Sequence, residues 1–235
     1  MRQVPNYTII GNGRIAKHFC YYFDLLQIPY QHWYRKAAKP LAALITSASP
    51  ILLLINDAEI DNFIEQNSCL IGKKLIHFSG CLVSSQAYGA HPLQTFSHEL
   101  YTLEQYQAIP FIIEQEGPAF NELLPGLPNP HFPMAKQFKP YYHALCVMAN
   151  NFTTILWQKL FREFSNKLAL PPECALPMLE QTVANLTTNY ETALTGPFAR
   201  GDTSTLTKNL AALANDPFQT IFQAFVSVKQ EENKV

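Results

Sequence analysis

The 235-residue sequence predicts an α/β protein, with a doubly wound, mainly parallel sheet followed by an all-α C-terminal domain. Through residue 114, short apolar runs of strand length alternate with helix-like stretches, as in strands joined by crossover helices. Several runs, such as Ile51–Ile55, are apolar throughout, which is typical of parallel strands covered on both faces. Beyond Pro140 the pattern is helical. The predicted strands are Tyr7–Ile10, Tyr30–Tyr34, Ile51–Ile55, Leu75–Phe78, Gly89–His91 and Ile109–Ile113.

The change of pattern predicts two domains, residues 1–138 and residues 139–235. Seven prolines lie between Pro110 and Pro140, and we interpret residues 115–140 as a loop or interdomain connection. The second domain should contain four helices, and Gly196-Pro197 should end the second of them. The predicted helices are Tyr141–Leu168, Glu173–Leu194, Thr203–Ala214 and one that begins at Asp216.

The composition excludes several classes of protein. The 17 basic and 18 acidic residues give a net charge of -1, which supplies no basic surface for nucleic acid. The apolar region Leu41–Ile55 is interrupted by polar residues and Pro50, and is too short to span a bilayer. The five cysteines form no Cys-x-x-Cys pair, so we expect reduced thiols in a cytoplasmic protein.

The most informative motif is Gly11-Asn12-Gly13-Arg14-Ile15-Ala16, which fits the dinucleotide fingerprint G-x-G-x-x-G/A. It follows the first predicted strand and opens an amphipathic segment, which is the context the motif requires. Gly11 permits the tight turn, Gly13 leaves room for a pyrophosphate, and Ala16 allows the helix to pack on the strand. The motif predicts a Rossmann-like domain that binds a dinucleotide through Gly11 to Ile15. A glycine turn without a ligand is the alternative.

The second predicted strand indicates which dinucleotide is bound. NAD-binding domains place an acidic residue about 20 positions after the glycines. From Leu25 to Asn56 the sequence has no Asp or Glu, and the strand is followed by Arg35 and Lys36. A guanidinium can bind the 2'-phosphate of NADP as a planar fork, so NADP is favoured. A solvated basic pair is the alternative.

Polar residues follow three other predicted strands, at the edge of the sheet where ligands bind. Asn56 and Asp57 follow the third strand, Ser79 the fourth, and His91 the fifth. We expect Asn56 to contact the cofactor, and Ser79 and His91 to lie near the reacting groups. Each has a structural alternative: Asp57 as a helix cap, Ser79 as a turn residue, and His91 bonded to backbone.

The first helix after Pro140 carries His143 and Asn151 on one ridge, among mainly apolar neighbours. Burial of both would be costly without partners, and a cleft would remove that cost. His143 can donate a proton near neutral pH, and Asn151 can orient a substrate oxygen. A buried structural role for both is the alternative. The scattered histidines and the absence of metal-site spacings predict no metal.

Several blocks occur in an order that resembles a known bacterial family. Besides the fingerprint they are Asn56–Ile60, His77–Gly80, His91–Phe96, Tyr142–Ala144 with Asn151, and Leu194–Asp202. That family joins a Rossmann-like NADP-binding domain to a helical C-terminal domain of unknown function. It is similar to pyrroline-carboxylate reductase, ketopantoate reductase, and the 6-phosphogluconate and hydroxyacid dehydrogenases.

The resemblance implies an NADP-dependent oxidoreductase that forms a homodimer through the helical domain and whose substrate is not established. We predict that it reduces a small carbonyl or imine, or oxidises the corresponding alcohol or amine. One departure leaves a second function open. The hydroxyacid dehydrogenases carry a lysine one turn before the asparagine of this helix, where this sequence has Val147. An NADP-binding sensor or interaction protein without turnover is therefore the alternative.

The late block also contains Arg200, beside Asp202. Arg200 could present a cation to an anionic substrate, which makes it a candidate substrate-binding residue. Pairing of Arg200 with Asp202 inside the loop, with Asp202 capping the next helix, is the alternative.

Overall fold

A computed structural model describes residues 6–45 and 49–232 of the chain. The chain divides into two compact units, residues 1–154 and residues 155–235. This division falls inside the long helical segment rather than at the predicted residue 138. None of the helices in the described part of the chain is long and apolar enough to cross a membrane.

The first unit is built on one seven-stranded sheet with the order β2-β1-β3-β4-β5-β6-β7. Strands β1 to β5 are parallel, β6 is antiparallel to β5, and β7 is parallel to β6. The predicted doubly wound, mainly parallel sheet is therefore confirmed. The strands are β1 (Tyr7–Ile10), β2 (Tyr30–Trp33), β3 (Ile51–Leu53), β4 (Leu75–His77), β5 (Tyr88–Pro92), β6 (Phe111–Glu114) and β7 (His131–Met134).

Ten α-helices accompany the sheet in the described residues, and those after the sheet confirm the helical C-terminal region. They are α1 (Arg14–Leu25), α2 (Ile60–Gln66), α3 (Leu103–Ala108), α4 (Phe120–Leu123), α5 (Lys139–Val147), α6 (Thr153–Asn166), α7 (Leu176–Thr188), α8 (Gly196–Arg200), α9 (Thr203–Ala212) and α10 (Phe218–Glu232). One turn of π-helix, Met148–Phe152, joins α5 to α6, so the predicted helix Tyr141–Leu168 is continuous but locally widened.

Two predictions about prolines and glycines are wrong. The proline-rich stretch is not only a loop, because it contains α4 and the edge strand β7. Pro133 lacks an N–H group, which an edge strand tolerates because one side has no neighbour to accept it. Gly196, with φ of 73°, begins α8 instead of ending α7, and the left-handed C-cap is Gly201, with φ of 64°.

Alternate residues of the central strands fill two apolar cores, one on each face of the sheet. Ile9 and Leu52 pack with Phe19 and Phe23 of α1 on one face. Ile10 and Leu53 belong to the second core, on the other face. Because β1, β3 and β4 are parallel, the loops that follow them lie at the same edge of the sheet.

The second unit is held by helix caps and ion pairs as well as apolar contacts. Asp202 caps α9 by accepting a hydrogen bond from the Thr205 amide at 3.0 Å. Lys159 pairs with Asp216 at 2.6 Å. A cavity of about 650 Å³ lies within this unit, lined mainly by apolar side chains of α6, α8 and α10.

A polar cluster is buried beneath the carboxyl edge of the sheet and consists of His77, Glu114 and Lys139. Lys139 Nζ lies 2.8 Å from Glu114 Oε1, and both side chains are less than a tenth exposed. A β-carbon on Gly89 of β5 would overlap both charged groups, so this glycine makes room for the pair. His77 Nδ1 accepts a hydrogen bond from the Ser79 amide at 3.2 Å, and His77 Nε2 is buried without a partner in the described structure.

Removing one member of the buried ion pair should destabilise the protein strongly. Lys139→Met leaves the Glu114 carboxylate buried without its partner, and the expected loss is about 3–5 kcal/mol of unfolding free energy. The double variant Lys139→Met/Glu114→Gln should recover most of this loss. Equilibrium urea unfolding at pH 7 measures both effects. A double variant no more stable than the single one would show that the loss comes from packing.

The stability should also depend on pH through His77. Burial, with contributions from Lys139 and His91, lowers the His77 pKa to about 3 from its ordinary 6.5. Below pH 6.5 the unfolded chain therefore binds a proton that the folded chain does not, and stability falls as the pH falls from 6.5 towards 3. One such proton contributes a slope of about 1.4 kcal/mol per pH unit.

The matched control for this slope is His77→Asn, because the asparagine oxygen can still accept the Ser79 amide but does not titrate. Urea unfolding between pH 6.5 and 4 should give a shallower dependence for His77→Asn than for the natural sequence. Equal slopes would contradict the role assigned to His77.

Candidate functional site

The candidate site lies where the strand order reverses. From β1 the chain passes to β2 on one side, then returns to β3 on the other side of β1. The loops after β1 and β3 consequently diverge, and they leave a crevice at the carboxyl edge of the sheet. This is the usual ligand position in open α/β sheets.

The glycine loop after β1 has the geometry that a dinucleotide requires. Gly11 has φ of 134°, and a β-carbon there would overlap the carbonyl group of Leu54, just after β3. Gly13 is the N-cap of α1, and a β-carbon on it would meet no protein atom within 4 Å. Glycine is therefore required at position 11 by the close approach of Leu54, whereas Gly13 borders open space at the N-terminus of α1. The loop fits a pyrophosphate group.

A cleft of about 700 Å³ brings together most of the predicted site residues. Its polar lining also includes Asn150, Gln94 and Thr95, to which the sequence analysis assigned no role. The predicted residues that line it are Gly11, Asn12, Gly13, Arg14, Ile15, Asn56, Ser79, His143 and Asn151.

Arg35 and Lys36 line a second cavity of about 650 Å³, which shares Gly11, Asn12 and Asn56 with the cleft. Both basic side chains are exposed. Trp33, Tyr34 and Phe63 also line the cavity, together with Glu59 as an acidic group. The structure thus places two cations and aromatic surface beside the glycine loop.

The residues after β3 and β4 bind each other. Asn56, rather than Asp57, caps the following helical turn, accepting a hydrogen bond from the Ala58 amide at 3.4 Å. The Ser79 hydroxyl donates a short hydrogen bond to the Asp57 carboxylate. It also accepts the amide protons of Cys81 and Leu82, at 3.3 and 2.9 Å. In this arrangement the Ser79 proton is used by Asp57, and these bonds hold the loop after β4; the role of Ser79 near the reacting groups stays a prediction.

The side chains of His91 and His143 lie close to each other beside Gly80. The rings of His91 and His143 are perpendicular, with centroids 6.0 Å apart. A β-carbon on Gly80 would lie 2.6 Å from His143 Cδ2 and 3.2 Å from His91 Nε2. Glycine at this position therefore allows both imidazoles to approach the loop after β4.

His91 is held by Tyr142, a residue to which the sequence assigned no role. The Tyr142 hydroxyl lies 2.8 Å from His91 Nδ1. Burial lowers the pKa of His91 to about 4, with smaller contributions from His143 and Lys139. Burial and the neighbouring Cys146 thiol raise the pKa of Tyr142 well above its ordinary value. Both partners are thus neutral near pH 7.

A third cavity of about 680 Å³ adjoins the cleft and is lined by His91, Tyr142 and Cys146. His143, Asn150 and Asn151 line both the cleft and this cavity. The π-turn supplies the two asparagines, and such turns often occur at functional sites. A substrate in the third cavity could therefore reach the cleft beside His143.

Arg200 is not among the residues that line these three cavities. It lies at the end of α8 in the second unit, where Asp202 caps the next helix. Hydrogen bonds from Thr205 lower the pKa of Asp202, and Arg200 contributes less. Asp202 therefore has the capping role that was the alternative in the sequence analysis. The contact of Arg200 with a substrate stays a prediction. Within residues 6–45 and 49–232, no three histidine, cysteine or acidic side chains form a group that could hold a metal ion.

Comparison with solved structures confirms the resemblance of the fold. One similar structure is that of a candidate NADP oxidoreductase of Bacteroides fragilis, BF3122. It has a TM-score of 0.74 and 18% identity, over 97% of this chain and 98% of that one. Pyrroline carboxylate reductase of Plasmodium falciparum, solved with NADP bound, has a TM-score of 0.54 and 14% identity, over 97% and 98%. An imine reductase variant of Myxococcus stipitatus, in complex with NAD+, has a TM-score of 0.59 and 15% identity, over 98% and 94%.

None of the curated proteins matches the sequence significantly. A family model does match: "Domain of unknown function (DUF2520)" covers residues 109–228, just over half of the chain. The match includes α5, the π-turn and the helices of the second unit up to residue 228, and thus His143, Asn150 and Asn151, whereas His91 lies before its first residue. This chain belongs to the DUF2520 family.

Proposed function

We propose that this protein is an NADP-dependent oxidoreductase that reduces a small carbonyl or imine, or oxidises the corresponding alcohol or amine. The observation that carries the proposal is one continuous site, in which a glycine loop of dinucleotide type and a pair of histidines line adjoining cavities. Relatives of similar fold include an imine reductase and a pyrroline carboxylate reductase. A nicotinamide dinucleotide supplies the hydride that such a reduction needs.

The cofactor would lie along the carboxyl edge of the sheet. Backbone groups from Gly11 to Ile15 and the N-terminus of α1 would surround the pyrophosphate, since the loop leaves open space there. Asn56 stands between the two cavities that would hold the nucleotide. Arg35 and Lys36 would bind the 2'-phosphate.

The reacting group would lie between the cleft and the third cavity. The carbon receives a hydride, and the oxygen or nitrogen then requires a proton. His143 lines both spaces and is the proposed proton donor, while Asn151 orients the substrate. The dimer and the cytoplasmic location stay predictions. Large apolar side chains on the surface of the second unit, such as Phe225 and Val228, support the dimer.

The alternative function, an NADP-binding sensor without turnover, is favoured by one observation. The nearest lysine of α5 is Lys139, which is buried and paired with Glu114, so it cannot act on a substrate. NADPH consumption with a panel of ketones, aldehydes, keto acids and cyclic imines decides between the two functions. Tight binding of NADPH without consumption by any of the panel would support the sensor.

Replacing Arg35 by alanine should weaken NADPH binding selectively. A hydrogen bond to a charged group contributes about 1.5–3 kcal/mol, so the expected loss is roughly 10- to 150-fold for NADPH, with NADH nearly unchanged. Fluorescence titration of each nucleotide measures the two dissociation constants. Equal losses for both would mean that Arg35 acts on the adenine or on packing, and a natural protein that prefers NADH would overturn the assignment.

Replacing His143 by glutamine should lower turnover without weakening the cofactor. A positioned acid contributes about 100- to 10,000-fold, so a loss of about 100-fold or more in kcat is expected. Steady-state kinetics and NADPH titration measure the two effects. Unchanged turnover with a lower unfolding midpoint would indicate a structural role.

A further inference from the structure

Tyr142 contacts one ring nitrogen of His91, and this contact decides where the ring carries its proton. We propose that Tyr142 fixes His91 as a neutral imidazole protonated on Nε2, so that His91 offers a hydrogen-bond donor to the carbonyl or imine being reduced. The inference rests on the proposed function and deepens it. It adds Tyr142 as a positioning residue and gives His91, which the sequence analysis placed near the reacting groups, the role of a neutral donor.

The direction of the hydrogen bond follows from what the two groups can donate and accept. A neutral phenol has one proton, and a neutral imidazole has one nitrogen that accepts. The other nearby acceptor for the Tyr142 proton is Cys146, whose sulfur is a weak acceptor. The phenol therefore donates to His91 Nδ1, at an oxygen–nitrogen distance of 2.8 Å. The ring proton must then be on Nε2.

The surroundings of His91 keep the ring neutral. Burial lowers its pKa to about 4, and His143 and Lys139 act in the same direction to a smaller extent. His77 on the neighbouring strand is itself buried and neutral. The carboxylate of Glu114, which shares a small cavity with His91, would favour a proton on the ring, but it is paired with Lys139 at 2.8 Å.

The donor on Nε2 is available. Within residues 6–45 and 49–232, no hydrogen bond to Nε2 is formed, and the atom is not among the buried polar atoms without a partner. The Nε2 edge faces Gly80 beside Cδ2 of His143, and the ring lines the cavity next to the cleft. His91 and the proposed acid therefore line the same cavity.

The two histidines would divide the chemistry of one reduction. As the carbonyl carbon takes the hydride, its former π electrons move to the oxygen, and a preorganised N–H group stabilises this charge. His143 then transfers the proton that completes the alcohol or amine. A neutral imidazole is suited to the first task because its proton is not lost in the step, as in other enzymes that hold a histidine neutral.

The tautomer can be measured without turnover. Nitrogen-15 labelling of histidine and two-bond ring correlation spectra, with His91→Gln to assign the signals, show which nitrogen carries the proton. We expect His91 to be neutral with the proton on Nε2 from pH 5.5 to 8. Tyr142→Phe should give a mixture of tautomers. The matched control is Tyr141→Phe, because Tyr141 is 69% exposed, and it should leave the His91 signals unchanged.

The contact with the substrate is tested by a complex that cannot react, NADP+ with cyclohexanone. The Nε2 proton of His91 should shift in the natural protein on addition of the ketone. A proton on Nδ1, an imidazolium at pH 7, or no shift with ketone bound would each overturn the inference. Absence of turnover with the whole panel would instead overturn the proposed function, because these spectra do not depend on reaction.

Kinetics separate positioning from a structural role. Loss of one such donor costs about 100- to 1,000-fold in kcat, so His91→Leu should show a loss in this range, while His91→Gln, which keeps a neutral N–H group, retains more. Tyr142→Phe should lower kcat about 10-fold with little change in KM. A Tyr142→Phe protein with mixed tautomers and unchanged kcat would overturn the role of Tyr142.

Discussion

The buried ion pair between Lys139 and Glu114 is the interaction on which the histidine side of the site depends. Lys139 is the first residue of α5, and Glu114 is the last residue of β6. Their contact attaches the start of the helix to the sheet, and the next turn then places Tyr142 against His91. The same charge pair sits beneath His91, where its ammonium group disfavours a second cation.

Three glycines permit the close approaches that this arrangement needs. Gly89 makes room for the ion pair, and Gly80 makes room for the two imidazoles. Gly11 allows the loop after β1 to approach the backbone that follows β3. A side chain at any of these positions would meet a backbone group or a functional side chain. Both the dinucleotide side and the histidine side of the site therefore depend on glycines at the carboxyl edge of the sheet, because a β-carbon at these positions would overlap neighbouring groups.

The features that could be predicted from the sequence are those that depend on a local pattern of residues. Apolar runs gave six of the seven strands, and the fingerprint identified the turn at Gly11, because strand length and glycine spacing are short-range properties. Strand β7 was missed because Pro133 argues against a strand, and only its position at the sheet edge makes it acceptable. Ser79 lines the cleft, but its hydroxyl binds Asp57, a residue 22 positions away, which no local pattern predicts.

The remaining features arise from contacts between distant parts of the chain, which no local pattern records. Lys139 and Glu114 are 25 residues apart, and Tyr142 and His91 are 51 residues apart. The sequence pointed to a missing lysine near Asn151, and the structure supplies a physical reason why the nearby lysine cannot replace it. Lys139 is used by the fold, and its charge makes only a small contribution to the lowered pKa of His91, which burial dominates. The polar chemistry that we propose for this site comes from imidazole groups: among the described residues, His143 is the titratable side chain that lines both the cleft and its adjoining cavity, and His91 lines the adjoining cavity.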